Sequence, residues 1–339
     1  TYTDPGTGCT SSATQTQVVN ANPVADAGTD QTIPYGTNTQ LSGSATGGSG
    51  YYTYSWTPAG SLINSNVQNP TTTNLTASTL YTLVATDVVS GCQDDDQVNV
   101  TVTGSALSVS ISASATSLCI GDGATLNAMA SGGSGTYTYN WSSTPGGSYT
   151  NTASISVTPL VTKTFTVVVN DGYNTATATV VVTVNPLPVV SYTGLPFYSC
   201  INGGPITLTG TPAGGTFTGT GINGNQFYPS FAGIGSHQIT YTYTDTNGCT
   251  SSDVQTTTVQ PEPVVSISGI GTDVCINGNQ IVITGSPHGG TWTGAGINNS
   301  IFDPSVAGLG THTLTYTYTD QFGCTSSANH TVTVHALQN

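Results

Sequence analysis

The sequence predicts an all-β protein, built as a tandem array of β-sandwich domains set end to end. Three observations carry this. Segments 186–259 and 261–334 align without a gap and match at well over half of their positions, so they are two copies of one unit. A related pair lies upstream, Gly47-Gly48-Ser49-Gly50 running on to Trp56, and Gly132-Gly133-Ser134-Gly135 running on to Trp141. Between these landmarks run short Val, Thr, Tyr and Ile stretches of period two, broken by Gly, Asn, Asp and Pro turns and without helical periodicity.

Taken in order, the chain opens over 1–21 with Tyr2-Thr3-Asp4 and Gly8-Cys9-Thr10-Ser11-Ser12, which repeat Tyr243-Thr244-Asp245 and Gly248-Cys249-Thr250-Ser251-Ser252. This is read as the last hairpin of an upstream repeat, or as a strand donated to another subunit. With no leader and no initiating Met, the chain is expected to be a processed or excised segment. Four sandwiches follow, over 22–103, 104–185, 186–260 and 261–339, the last with a short tail. Trp56 and Trp141 fall on the third strand of their units and are assigned to the core, with Phe217 and Trp292 in the later pair. The connections Asn22-Pro23, Asn185-Pro186-Leu187-Pro188 and Gln260-Pro261-Glu262-Pro263 carry proline, which fixes φ and restricts the residue before it. Successive sandwiches are therefore expected to lie nearly in line, as an elongated, semi-rigid rod.

Composition excludes several classes of function. In 339 residues there is a single Lys or Arg, Lys163, against 15 Asp and Glu, and only 5% of residues are charged. Nucleic-acid binding needs clustered cations to replace counterions on phosphate, so nucleic acid is excluded as a partner. No apolar run approaches the roughly 20 residues that span a bilayer, so direct membrane insertion is not expected.

The seven cysteines, with no C-x-x-C pair, read as a disulfide framework and place the chain in an oxidising compartment outside the cell. Each unit has two cysteine slots, one ending its first strand and one just after the turn between its last two strands. The first unit has Pro34-Tyr35-Gly36 in the first slot and Cys92 in the second. The second unit has Cys119 but carries Asp171-Gly172-Tyr173-Asn174 where the other cysteine would be, and units three and four fill both slots. The two slots of one sandwich lie at opposite poles, too far apart for the 4.4–6.8 Å Cα separation of a disulfide. Pairing between neighbours, Cys119 with Cys249 and Cys200 with Cys324, turns the two vacant slots into one concerted loss. Cys9, Cys92 and Cys275 are then left to flanking repeats or to like subunits. The alternative pairs Cys200 with Cys249 and Cys275 with Cys324 inside their units.

Catalysis is not expected. The acids fall mostly in turns, with Asp87, Asp245 and Asp320 each ending a penultimate strand, where Asp is a turn former. No His occurs in a ligand spacing, and no nucleophile elbow is present. A structural Ca²⁺ is the one cofactor considered, held by Asp94, Asp95 and Asp96 with Asp26 and Asp30, against the reading of a solvated acidic turn. Surface glycans are a further class of partner, with Tyr51, Tyr52, Tyr137 and Tyr149 as candidate rings.

The runs Tyr-Thr-Tyr-Thr-Asp-x-x-Gly-Cys-Thr-Ser-Ser, Gly-Gly-Thr-Trp/Phe-Thr-Gly-x-Gly-Ile-Asn and Gly-Gly-Ser-Gly-x-Tyr-Thr-Tyr-x-Trp cover essentially the whole chain. They resemble the tandem Ig-like, PKD-like and SprB-type repeats of very large Bacteroidota surface proteins. That resemblance implies Ig-like sandwiches, export by the type IX route and a place in adhesins, gliding machinery or extracellular fibres. The expected role is structural: a disulfide-stapled rod within an adhesin stalk or filament. A carbohydrate-binding array and the non-catalytic spacer of a secreted enzyme are the alternatives.

Overall fold

The computed structural model describes residues 1–17, 19 and 21–337. The fold is all-β and Ig-like. The chain divides into two compact units, 1–185 and 186–339, and each holds two sandwiches with separate cores.

The opening strand of each sandwich is broken and serves both sheets. In the first, Pro23–Asp26 pairs antiparallel with Ser44–Gly47, and Gln31–Pro34 then pairs parallel with the end of Gln93–Thr103. The switch passes through Gly28 at a φ of +85°, where a Cβ would stand 2.7 Å from the Ser42 carbonyl oxygen. Only glycine combines that backbone with that closeness. The main sheet has the order Gln31–Pro34, Gln93–Thr103, Thr79–Asp87, Tyr52–Thr57. The same order recurs as Ser117–Cys119, Thr175–Asn185, Lys163–Asn170, Thr138–Thr144. It recurs as Tyr198–Cys200, Thr250–Gln260, Gly235–Thr244, Thr216–Thr218, and as Asp273–Cys275, Thr325–His335, Gly310–Thr319, Thr291–Thr293. The last two strands form a long antiparallel hairpin, and the short parallel strand ends beside the C-terminal end of the final strand, so the two cysteine slots lie at opposite poles.

Each sandwich buries large rings, and the position of one of them differs between the pairs. Trp56 and Trp141 are buried, and their indole N–H groups donate to the Val67 and Thr152 carbonyls at 3.2 and 2.9 Å. Their cross-strand partners are Leu83 and Val167. In the later sandwiches the large buried ring moves one strand over. Tyr241 and Tyr316 are buried, and Phe217 and Trp292 opposite them are only half-buried, packed on the core's edge. Space for the tyrosines comes from glycine: a Cβ on Gly210 would lie 2.0 Å from Tyr241, and one on Gly285 would lie 2.3 Å from Tyr316. Each phenol donates to a proline carbonyl, Pro212 at 2.5 Å and Pro287 at 2.6 Å, and accepts the N–H of Gly215 or Gly290.

The structure also contains short helices where no helix was expected. Pro229–Ala232 and Pro304–Ala307 each make one α turn, and Ala59–Ser61 makes a 3₁₀ turn. Proline at the first helical position starts each α turn, and Gly233 and Gly308 at φ +83° end it. Four residues are too few to show a 3.6-residue period, which is why the pattern is silent. The N-terminal hairpin is present as a two-rung ladder, Tyr2 with Ser11 and Thr3 with Thr10, exposed throughout.

Candidate functional site: the interdomain junction

The junction begins with the turn before each final strand. There an aspartate ends the penultimate strand and its carboxylate collects backbone N–H groups. Asp320 accepts from Phe322 and Cys324, both at 2.9 Å, and Asp245 accepts from Asn247 and Cys249 at 2.8 and 2.9 Å. The turn is closed by Asp320 N–H donating to the Cys324 carbonyl at 2.9 Å. The second-slot cysteine is thus pinned by its own loop before any partner arrives. Cys249 and Cys324 are both fully buried.

Cys324 of the fourth sandwich is bonded to Cys200 of the third, with Cα atoms 5.5 Å apart and 124 residues between them in sequence. Cys200 sits at the end of its parallel strand beside Gln260, the last residue of that sandwich. The bond therefore spans a junction between domains. Aromatic packing accompanies it: Tyr198 lies 4.7 Å from Phe322 by ring centroids, and Phe197 packs edge-on against Tyr198 at 4.8 Å. Cys119 and Cys249 are each in a disulfide as well. Cys9 and Cys275 are exposed free thiols, and Cys92 is a half-buried one.

The junction between the first two sandwiches shows what the vacant slots do. Asn174 stands where the second-slot cysteine would be, and its side-chain amide donates to the Tyr35 carbonyl at 3.1 Å. Tyr35 belongs to the vacant first slot. The two positions meet across the junction, held by a hydrogen bond in place of a covalent bond.

In the GGSG sandwiches the turn aspartate does a second job. Asp87 accepts from Ser49 and Ser90, and Asp171 from Ser134, Tyr173 and Asn174, tying the Gly-Gly-Ser-Gly loop to the hairpin. A Cβ on Gly48 or Gly133 would stand 2.4 or 2.1 Å from the carboxylate, which explains the double glycine. The N–H groups of Ser49 and Ser90 hold Asp87 well below the ordinary carboxylate range. Burial by itself would raise Asp171, but the N–H groups of Asn174, Tyr173 and Ser134 outweigh it and lower it.

The acidic run does not form the turn that the sequence suggested. Asp94, Asp95 and Asp96 lie in the strand Gln93–Thr103, where period two sends Asp95 to the opposite face from its neighbours. Asp94 accepts the Ala25 N–H at 2.9 Å and Asp96 the Ala27 N–H at 2.8 Å; Asp30 accepts the Asn99 N–H at 2.8 Å and Asp26 the Gly28 N–H at 2.8 Å. Asp94, Asp96 and Asp30 stitch the opening strand to the last one, and Asp26 accepts within its own turn. Among the described residues no three His, Cys, Asp or Glu side chains gather as a metal site. Nothing in the residues announced this stitching beyond the alternation itself.

No family model matches the chain, and no curated protein matches it. Solved structures similar to it are arrays of β-sandwich domains. One is described as a Ca²⁺-stabilised adhesin that helps an Antarctic bacterium reach out and bind ice; it is 16% identical over 95% of this chain and all of that one, with a TM-score of 0.39. The I-band fragment I67–I69 of titin is 15% identical over 72% of this chain and all of its own, with a TM-score of 0.39. The D1–D4 ectodomain fragment of ICAM-5 is 11% identical over 94% of this chain and all of its own, with a TM-score of 0.36. Among the described residues no helix is long and apolar enough to cross a membrane.

Proposed function

We propose that this chain is an extracellular structural protein: a semi-rigid, disulfide-stapled rod within a bacterial adhesin stalk or filament, of the kind that Bacteroidota surface proteins exported by the type IX route build. One observation carries the reading. The Cys200–Cys324 bond joins two domains that each already have their own sheets and core, so its added effect is to couple neighbours. Domains of 75–85 residues bury small cores and are individually marginal. Closing a loop of 124 residues contributes about 5 kcal/mol in the chain-entropy model. A bond at the junction stabilises and also resists bending and pulling, which is what a load-bearing tether needs.

The same proposal pairs Cys119 with Cys249, and gives the thiols Cys9, Cys92 and Cys275 to flanking repeats or like subunits. With only 5% of residues charged, the rod presents long uncharged polar faces for lateral packing. The proposed role is non-catalytic, in keeping with Asp26, Asp30, Asp94 and Asp96 each accepting a backbone N–H. Electron microscopy of native material tests the reading. Beaded rods that stay straight without reductant and bend at the stapled junctions with it are the expected result. Domains that swing freely at the Cys200–Cys324 junction while that bond is intact would overturn it.

A further inference from the structure

The third and fourth sandwiches carry the same surface cleft with different linings. In the fourth it measures about 600 Å³ and in the third about 440 Å³. Its floor is the buried core tyrosine, Tyr316 or Tyr241, lying against glycine backbone. Its walls differ in polar or aromatic character at four aligned positions, beside the apolar exchange of Leu208 for Ile283. Trp292 replaces Phe217, His288 replaces Ala213, Asn299 replaces Gly224 and Ser300 replaces Asn225.

Two of these differences change what the cleft presents. Asn299 adopts φ +56° at the turn where Gly224 has φ +61°, so a side chain is carried on left-handed backbone where the sister repeat uses glycine. Trp292 is half-buried on an edge strand, where Phe217 fills the same place on the core's flank with less surface. The loop that holds His288 is fixed from below, since the Tyr316 hydroxyl donates to Pro287 and accepts from Gly290 at 2.6 and 2.7 Å. An indole, an imidazole, an amide and a hydroxyl therefore converge on one preformed cleft.

We propose that this cleft binds an uncharged saccharide, with the C–H face of one sugar ring stacked on Trp292 and its hydroxyls hydrogen-bonded by His288, Asn299 and Ser300. A pyranose presents an apolar face rimmed by hydroxyls, and the cleft presents one aromatic face rimmed by neutral donors and acceptors. Charge selects against acidic glycans. No Asp, Glu, Lys or Arg lines the cleft, and the chain as a whole carries a formal charge of −14 with a single cation, Lys163. This inference goes beyond the rod reading and does not depend on it: a rod without the cleft, or the cleft on a flexible chain, would each be a distinguishable result.

The test uses the whole chain and its own fluorescence. Trp56 and Trp141 are 1% and 3% exposed, so acrylamide quenching reports chiefly on Trp292. Neutral hexasaccharides of β-1,4-glucan, α-1,4-glucan, β-1,4-mannan and chitin are titrated, alongside oligogalacturonate and an unstructured polar peptide. At least one neutral oligosaccharide is expected to protect Trp292 from quenching and to show heat on calorimetric titration. The triple variant His288→Ala, Trp292→Phe, Asn299→Gly copies the third sandwich and so keeps residues already compatible with the fold; it should bind about tenfold more weakly or worse by calorimetry. His288→Ala alone keeps the fluorophore and should weaken protection. Absence of binding to all four neutral sugars, equal binding by the triple variant, or binding of only the galacturonate or the peptide would overturn the proposal.

Discussion

Replacing both junction cysteines, Cys200→Ala with Cys324→Ala, isolates the staple's contribution. Cys200 lies beside Gln260 in the ladder, so while the third sandwich stays folded the bond ties the unfolded fourth sandwich into a loop running only from Gln260 to Cys324. That loop of about 64 residues contributes about 4 kcal/mol in the chain-entropy model, against about 5 for the full sequence separation. For a domain this small the urea dependence is about 1 kcal/mol per molar, so the midpoint of the fourth sandwich should fall by about 4 M. Trp292 reports it alone, because the other two tryptophans lie in the first two sandwiches. The wild-type chain in strong reductant should move with the double variant. If the Trp292 transition stays within about 0.5 M urea of wild type, the bond does not constrain the unfolded domain and the argument from loop closure fails.

Four further outcomes follow from the same contacts. Asp87 is held below its ordinary pKa of 3.8, so its contribution is complete above that value and is lost as pH falls through the folded one; unfolding followed by Trp56 should ease below about pH 4, and Asp87→Asn should flatten the dependence. Gly210→Ala forces a Cβ to 2.0 Å from Tyr241 and should cost about 3 kcal/mol or more, whereas Gly204→Ala, with nothing within 4 Å, should change denaturant stability by less than about 0.5 kcal/mol. Pro34→Cys with Asn174→Cys should form a new bond under oxidising conditions, since the two slots already meet; peptide mapping that recovers both as maleimide adducts would contradict the slot geometry. Asp96→Ala should destabilise the first sandwich by about 1–2 kcal/mol by stranding the Ala27 N–H, and EDTA should leave its melting temperature unchanged.

The sandwich architecture was legible because it rests on local signals. Period-two runs, turn residues and the near-identical halves 186–259 and 261–334 each depend only on neighbours in sequence. The turn role of Asp87, Asp245 and Asp320 was legible for the same reason, since an aspartate hydrogen-bonds its own following backbone. The partners of the acidic run were not legible, for an equally local reason. Three adjacent carboxylates read as a cluster, but strand alternation and the amides of Ala25 and Ala27 separate their duties.

What composition and repeat determined by themselves is that this chain is a series of like β-domains with a single cationic side chain, because those properties are sums and periodicities along the chain. The tertiary structure decided that Cys200 reaches Cys324, that Tyr316 is buried while Trp292 opposite it is only half-buried, and that His288, Trp292 and Asn299 share one cleft. Those facts depend on distances between residues far apart in sequence, and such distances exist only once the sheets have closed on one another.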